Sequence, residues 1–117
     1  MSVHHTPLTP TVFHILLALS LKERHGYEIM KQAEEDSAGA VTMGPGALYG
    51  AIKRLVQDNL IEEVEERPDP ELDDERRKYY RLTQKGKSCL SVELRRLEEL
   101  VEVGKRRKLI HAHAFAA

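Results

Sequence analysis

Apolar residues recur along this chain at helical spacing in four segments and at strand spacing in two. The run at residues 10–21 is apolar on most sides, which predicts a helix buried against two surfaces, with Thr9 or Thr11 as its cap. Residues 26–37 predict a second helix. Residues 37–44 predict a turn segment that is longer than the tight turn of the simplest helix-turn-helix proteins.

The third predicted helix has two very different faces. Pro45 suits its first position, because the missing N–H of a proline would have no helical partner there. One face carries the apolar residues Leu48, Ile52 and Leu55. The opposite face carries Gly46, Tyr49, Gly50 and Lys53. A helical glycine costs roughly 0.5–1 kcal/mol relative to alanine, so two on one face indicate close approach to a partner. Tyrosine and lysine can donate to phosphates, which favours a DNA recognition helix over a surface helix with two tolerated glycines.

Residues 60–66 and 76–83 predict two strands joined by a polar loop that contains two prolines. Tyr80 and Leu82 would share one face of the second strand at the period of two. Helix, strand, long loop and returning strand together predict a winged helix-turn-helix.

Charge divides this predicted wing into two parts. The return strand opens with a basic triplet, Arg76, Arg77 and Lys78. The loop tip is acidic, with Asp69, Glu71, Asp73, Asp74 and Glu75. We expect the triplet to contact DNA, because a narrowed minor groove attracts cations, and the tip to bend away or pair with its own arginines.

The last predicted helix runs from its cap at Thr83 to about Lys108. Its apolar positions, spaced by four, three and four residues, are Leu90, Leu94, Leu97 and Val101. This pattern is typical of a coiled-coil seam that is too short to stand alone but sufficient as half of a dimer interface. The alternative is a helix packed on its own core. We expect a homodimer in which Phe13 and Leu16 of the first helix also contact the partner.

The predicted architecture is therefore mainly α with a small β-hairpin. Residues 1–83 would form a winged helix-turn-helix DNA-binding domain. Residues 84–117 would form a C-terminal dimerisation helix and tail.

Four segments, taken as an ordered set, resemble the PadR family of transcriptional regulators. They are His25-Gly-Tyr-Glu-Ile-Met30, Gly44-Pro-Gly-Ala-Leu-Tyr-Gly50, Arg54-Leu-Val-Gln-Asp-Asn-Leu-Ile61 and Lys78-Tyr-Tyr-Arg-Leu-Thr-Gln-Lys-Gly86. The resemblance covers about residues 11–105 and is to the shorter type, which ends in a single dimerisation helix. It implies a winged-helix homodimer that binds double-stranded operator DNA, most often as a repressor. Within these motifs, Tyr27 and Ala47 join the expected DNA-binding residues.

Two features of the chain bear on this resemblance. Asn59 stands where many members carry glycine, but asparagine also tolerates the left-handed conformation, so we expect the same fold. The family is associated with responses to phenolic acids, drugs and other small molecules. Since the last helix has no tryptophan to stack on a flat ligand, a small-molecule effector stays an open question.

Composition limits the interpretation further. With 117 residues the chain is expected to be one domain, whose modest core a dimer would enlarge. The net charge of −1 argues weakly against nucleic acid, so any phosphate contacts should be local. One cysteine, Cys89, cannot form an internal disulfide and fits the reducing cytoplasm. The chain has no signal-peptide pattern and no apolar run of the ~18 residues that would span a bilayer, so we expect no membrane partner.

Catalysis and metal binding find little support in the sequence. The serines lie in helical contexts without the base and orienting group that a nucleophile needs. The paired histidines, His4 with His5 and His111 with His113, are not spaced to share a helix face. We therefore predict no enzymatic activity, no metal and no cofactor. His14 is expected to be a satisfied packing residue, His25 a capping or surface residue, and Cys89 an inert thiol.

One alternative from another class is a winged-helix module that docks proteins and never touches DNA. The negative net charge suits it. An interaction surface would show leucine, methionine or aromatic anchors, whereas the predicted face is small and cationic, which favours DNA.

Overall fold

The computed structural model describes residues 6–68 and 76–111, which form four helices and one three-stranded sheet. In chain order the elements are α1 (Pro10–Ala18), β1 (Arg24–His25), α2 (Gly26–Asp36), α3 (Pro45–Gln57), β2 (Ile61–Pro68), β3 (Arg76–Leu82) and α4 (Gln84–Arg106). The sheet is antiparallel in the order β1-β3-β2. This is the predicted winged helix-turn-helix followed by a long terminal helix.

The core lies where α1, α2 and α3 meet the sheet. Its largest fully buried side chains are Ile15, Leu16, Ile29, Leu48 and Ile61. The predicted apolar stripe of α3 is confirmed, since Leu48, Ile52 and Leu55 are all buried in this cluster. Tyr80 is buried in the same cluster and Leu82 packs against it, as the period of two predicts.

Two parts of the prediction between α1 and α2 are wrong. The first helix ends at Ala18 rather than at residue 21, because the Arg24 Nε donates to the Ala18 carbonyl oxygen at 2.7 Å and so takes the place of a further helical N–H. Strand β1 was not predicted. It pairs Arg24 with Tyr80 and His25 with Tyr79 across to β3, and a two-residue strand carries no periodic signal.

Helices α2, α3 and α4 end in the same way. Each is followed by a residue with left-handed backbone, namely Ala38 (φ 52°), Asn59 (φ 61°) and Lys108 (φ 61°). The next N–H then returns to a carbonyl five residues earlier, in the bonds Gly39 to Glu34, Leu60 to Leu55 and Leu109 to Gly104. The expected left-handed Asn59 is thus confirmed, and α4 ends at Arg106 because the chain turns at Lys108.

The turn after α3 is tied directly to the start of α4. The Thr83 hydroxyl donates to the Asn59 carbonyl oxygen at 2.6 Å, and the Lys85 Nζ donates to that of Asp58 at 3.0 Å. Gly86 packs so closely that a Cβ there would overlap the Leu60 carbonyl. These contacts join the end of α3 rigidly to the beginning of α4.

Candidate nucleic-acid interface

The face of α3 opposite the core is exposed and nearly bare. Gly46, Ala47, Tyr49, Gly50 and Lys53 are all exposed, as the sequence predicts. A Cβ built at Gly46 or Gly50 meets no heavy atom within 4 Å in the described chain, and neither residue has left-handed backbone. The fold itself therefore gives no steric reason for glycine at either position.

Tyr49 links this face to the beginning of α2. Its side chain is 49% exposed, and its phenol lies over Gly26, the first residue of α2. A Cβ at Gly26 would overlap the Tyr49 hydroxyl and would come within 2.8 Å of the ring carbon Cζ. The N-terminus of α2 and the open face of α3 thus form one surface.

Two cations approach the ring of Tyr27 on this surface. The Lys31 Nζ lies 5.6 Å from the ring centroid and the Arg77 Cζ lies 5.8 Å from it, which is cation–π range. Tyr27 is itself exposed. Lys31 was not predicted as part of the site, although its spacing of four residues from Tyr27 could have indicated it.

His25 holds the first turn of α2 in place. Its Nδ1 accepts from the Glu28 N–H at 3.3 Å, and the Glu28 carboxylate accepts from the His25 N–H at 3.1 Å. The buried ring packs edge-on against Tyr79, with centroids 5.3 Å apart, and lies 3.5 Å from an Arg77 nitrogen. The expectation of a capping histidine is confirmed.

The basic triplet does not form one patch on β3, and its predicted contact with DNA stays a prediction. Successive strand residues point to opposite faces. Arg77 accordingly lies against Tyr27, whereas the Lys78 Nζ lies 3.7 Å from the Glu63 carboxylate on β2. The side chain of Arg76 lies outside the described residues.

Carboxylates of β2 pair with the return strand. Arg81 binds Glu62 at 2.8 Å and approaches Glu23 at 3.6 Å. The acidic tip, residues 69–75, with Asp73, Asp74 and Glu75, lies outside the described residues, so the expected bending of the tip stays a prediction.

The predicted dimerisation residues divide into two groups. Leu16 and Leu90 are buried in the core of their own chain and offer no surface to a partner, which corrects their assignment. Leu94 and Val101 are each 42% exposed, and with Leu97 they line an open groove along α4. Phe13 of α1 is partly buried at the edge of the core.

A buried carboxylate, which the sequence did not indicate, fastens the segment before α1 to α4. Glu93 accepts from the Leu8 N–H at 3.0 Å and from two Arg96 nitrogens at 2.7 and 2.8 Å. The bonds from Arg96 hold the pKa of Glu93 below its ordinary value. Burial and, to a lesser degree, the Glu93 charge raise the pKa of the nearby Cys89 thiol, as expected for an inert cysteine.

His14 departs from expectation in one respect. Its ring packs edge-on against Phe13, with centroids 5.2 Å apart. Its Nδ1, however, is shielded from solvent and has no hydrogen-bond partner within the described residues. The histidine therefore packs as predicted, but no described residue satisfies its Nδ1.

Residues 6–68 and 76–111 hold neither a cluster of metal ligands nor a membrane-spanning helix. No cluster of three or more histidine, cysteine or acidic side chains there could hold a metal ion. No helix in the same ranges is both long and apolar enough to cross a membrane.

The sequence of this chain is similar to those of known proteins. The sequence model of the transcriptional regulator PadR-like family matches residues 15–92. An uncharacterised protein of Lysinibacillus sphaericus is 32% identical over 90 residues, which are 76% of this chain and 80% of that protein.

Solved structures show the same fold. A PadR family transcription regulator from hypervirulent Clostridium difficile R20291 is similar, with a TM-score of 0.70 and 30% identity, over 84% of this chain and 97% of that one. Bacillus subtilis PadR in complex with operator DNA has a TM-score of 0.61 and 24% identity, over 71% of this chain and 45% of that one.

Proposed function

The chain belongs to the PadR-like family of transcriptional regulators, and on that premise we propose that it is a cytoplasmic repressor that binds operator DNA as a homodimer. The fold shared with the Bacillus subtilis protein, which was solved with operator DNA, supports DNA as the partner. The observation that carries the proposal is the bare face of α3.

The bare face is the exposed backbone at Gly46 and Gly50. Glycine costs roughly 0.5–1 kcal/mol at a helical position, and nothing in the described chain crowds either residue. Close approach of α3 to a major groove would explain both glycines, because larger side chains would hold the helix away from the base edges.

The polar groups around the bare face suit phosphates. Lys53 is exposed and makes no ion pair with any described residue. The Tyr49 hydroxyl lies at the start of α2, where the helix dipole favours an anion. Arg77 and Lys31 flank Tyr27 on the same surface. We infer that these side chains bind phosphates and fix the position of α3 along the DNA. The glycine face then lies against the base edges.

A two-fold dimer built on α4 completes the proposal. Leu94 and Val101 are exposed, and with the half-buried Leu97 they line a groove of the kind that a second copy of the same helix covers. Phe13 and the unsatisfied Nδ1 of His14 support a contribution from α1. Two recognition helices related by that axis would meet successive major grooves about 34 Å apart, so the operator should have dyad symmetry.

Selection of bound duplexes from a random DNA pool tests DNA recognition. We expect enrichment of two inverted half-sites about one helical turn apart. Gly50→Leu should abolish binding to that duplex without lowering the unfolding midpoint, because the new side chain projects into open space. Glu35→Leu, at an exposed position near the end of α2, serves as the control and should bind normally.

Two outcomes would contradict the proposal. Unchanged affinity of Gly50→Leu would show that this face is not at the DNA. Failure to enrich any sequence would favour the alternative, a protein-docking module without DNA binding.

Light scattering tests the dimer. Changing both Leu94 and Leu97 to glutamate should give monomers that lose specific DNA binding, because charges would enter the apolar interface. Leu109→Glu changes a more exposed leucine beyond α4 and should leave the dimer intact. A monomeric unmodified protein would refute the dimer.

A further inference from the structure

We propose that Gly26 is a positioning residue for DNA binding, because its missing side chain seats the phenol of Tyr49 against the N-terminus of α2. This inference rests on the proposed function, in which Tyr49 contacts phosphate. It assigns a role to a buried residue that is not among the proposed DNA-binding or dimerisation residues.

The backbone does not explain a glycine at this position. Gly26 has no left-handed backbone, so any L-residue could adopt its conformation. It is also the first residue of α2, and alanine is the better helix former. The remaining explanation for a glycine here is that another group already fills the space of a side chain.

That space is filled by Tyr49. The three heavy atoms nearest to a Cβ built at Gly26 all belong to the Tyr49 phenol: the hydroxyl oxygen, which it would overlap, Cζ at 2.8 Å and Cε1 at 3.0 Å. Real Cβ atoms essentially never approach other atoms so closely, so the tyrosine would have to move. Gly26 is buried whereas Tyr49 is half-exposed, so the ring covers the glycine and keeps its outer side open.

The position of the phenol matters because of what surrounds it. The seat brings a hydroxyl donor from α3 to the first turn of α2, where the helix dipole favours an anion. His25 caps this turn and Tyr27, with its two cations, follows directly. A phosphate held by the Tyr49 hydroxyl would therefore lie beside the other groups that attract it. A displaced phenol would lose this arrangement even though every DNA-contacting residue is still present.

A double-mutant cycle tests the inference. The probe is a duplex selected from a random pool by the unmodified protein, and its dissociation constant is measured for Gly26→Ala, for Tyr49→Ala and for the variant that carries both changes. We expect Tyr49→Ala to weaken binding about tenfold or more, since each dimer loses two hydrogen bonds to charged groups. Gly26→Ala should weaken binding to a similar degree, and the double variant should bind like Tyr49→Ala alone.

Thermal unfolding separates positioning from damage to the fold. Gly26→Ala should keep the unfolding midpoint of the unmodified protein, because alanine suits the first turn of a helix and the displaced ring can turn into solvent. A loss of DNA affinity that persists undiminished in the Tyr49→Ala background would overturn the inference, since Gly26 would then act without Tyr49.

The remaining outcomes distinguish the inference from the function on which it rests. Normal binding by Gly26→Ala, with Tyr49→Ala still weak, would overturn the inference alone. Normal binding by Tyr49→Ala would overturn both the inference and the phosphate contact assigned to Tyr49.

Discussion

Replacing Lys53 with alanine should change the salt dependence of DNA binding by a calculable amount. Lys53 lies on the open face of α3 beside Gly46 and Gly50, and it makes no ion pair among the described residues. Its charge is therefore available to a phosphate. In the proposed dimer the substitution removes two such charges, one at each half-site.

The expected magnitude follows from counterion release. Each neutralised phosphate steepens the plot of log affinity against log salt by about 0.9, so two lost contacts should flatten it by about 1.8. Between about 50 and 200 mM salt, the affinity ratio of unmodified protein to variant should consequently shrink by about 12-fold. The loss should extend to unrelated duplexes, because phosphates carry no sequence information.

Fluorescence anisotropy with a labelled selected duplex, titrated across this salt range, measures the slope. Lys105→Ala provides the control, because it also removes one positive charge per subunit. Lys105 lies in the last turn of α4, a helix about 34 Å long, and is paired with Glu102 at 3.2 Å. Parallel plots for Lys53→Ala and the unmodified protein would refute a phosphate contact, and an equal flattening by Lys105→Ala would show only a general charge effect.

Three further predictions follow from individual contacts. In the same anisotropy assay, Arg77→Ala should weaken DNA binding more than Lys78→Ala, because Arg77 lies on the Tyr27 surface whereas Lys78 lies beside Glu63 on the other face of β3; equal losses would contradict this difference. Ala38→Gly should raise the free energy of unfolding by about 0.5–1 kcal/mol in urea titrations, since Ala38 has left-handed backbone, and an unchanged or lower value would count against strain there. Glu93 has a folded-state pKa below its ordinary value of 4.5, so its stabilising contribution is complete above that pH and is lost as the pH falls through the folded pKa. The stability difference between the unmodified protein and Glu93→Gln should therefore narrow as the pH falls below about 4.5, and a difference independent of pH would refute the assignment.

Local patterns in the chain were enough to predict most of the fold. The stripe at Leu48, Ile52 and Leu55 identified the buried side of α3, because helical periodicity reflects burial directly. The alternation at Tyr80 and Leu82 identified the core side of β3 in the same way. The sequence predictions failed where a group outside an element decides where that element ends or whether it forms. Arg24, six residues beyond the last residue of α1, bonds to the end of that helix. Strand β1 forms only because β3 lies beside it.

The sequence likewise predicted some features of the candidate site and missed others. The amino-acid order was sufficient to indicate the bare and cationic face of α3, since all its members lie on one helix. It could not indicate that Tyr49 packs on Gly26. Nor could it indicate that Arg77 lies against Tyr27 while Lys78 lies beside Glu63. The burial of Leu16 and Leu90 in the core of their own chain was equally beyond it. Each of these depends on how elements distant in the chain pack together. Periodicity shows which residues of an element share a face, whereas the neighbour that this face meets is set by the packing of the whole domain.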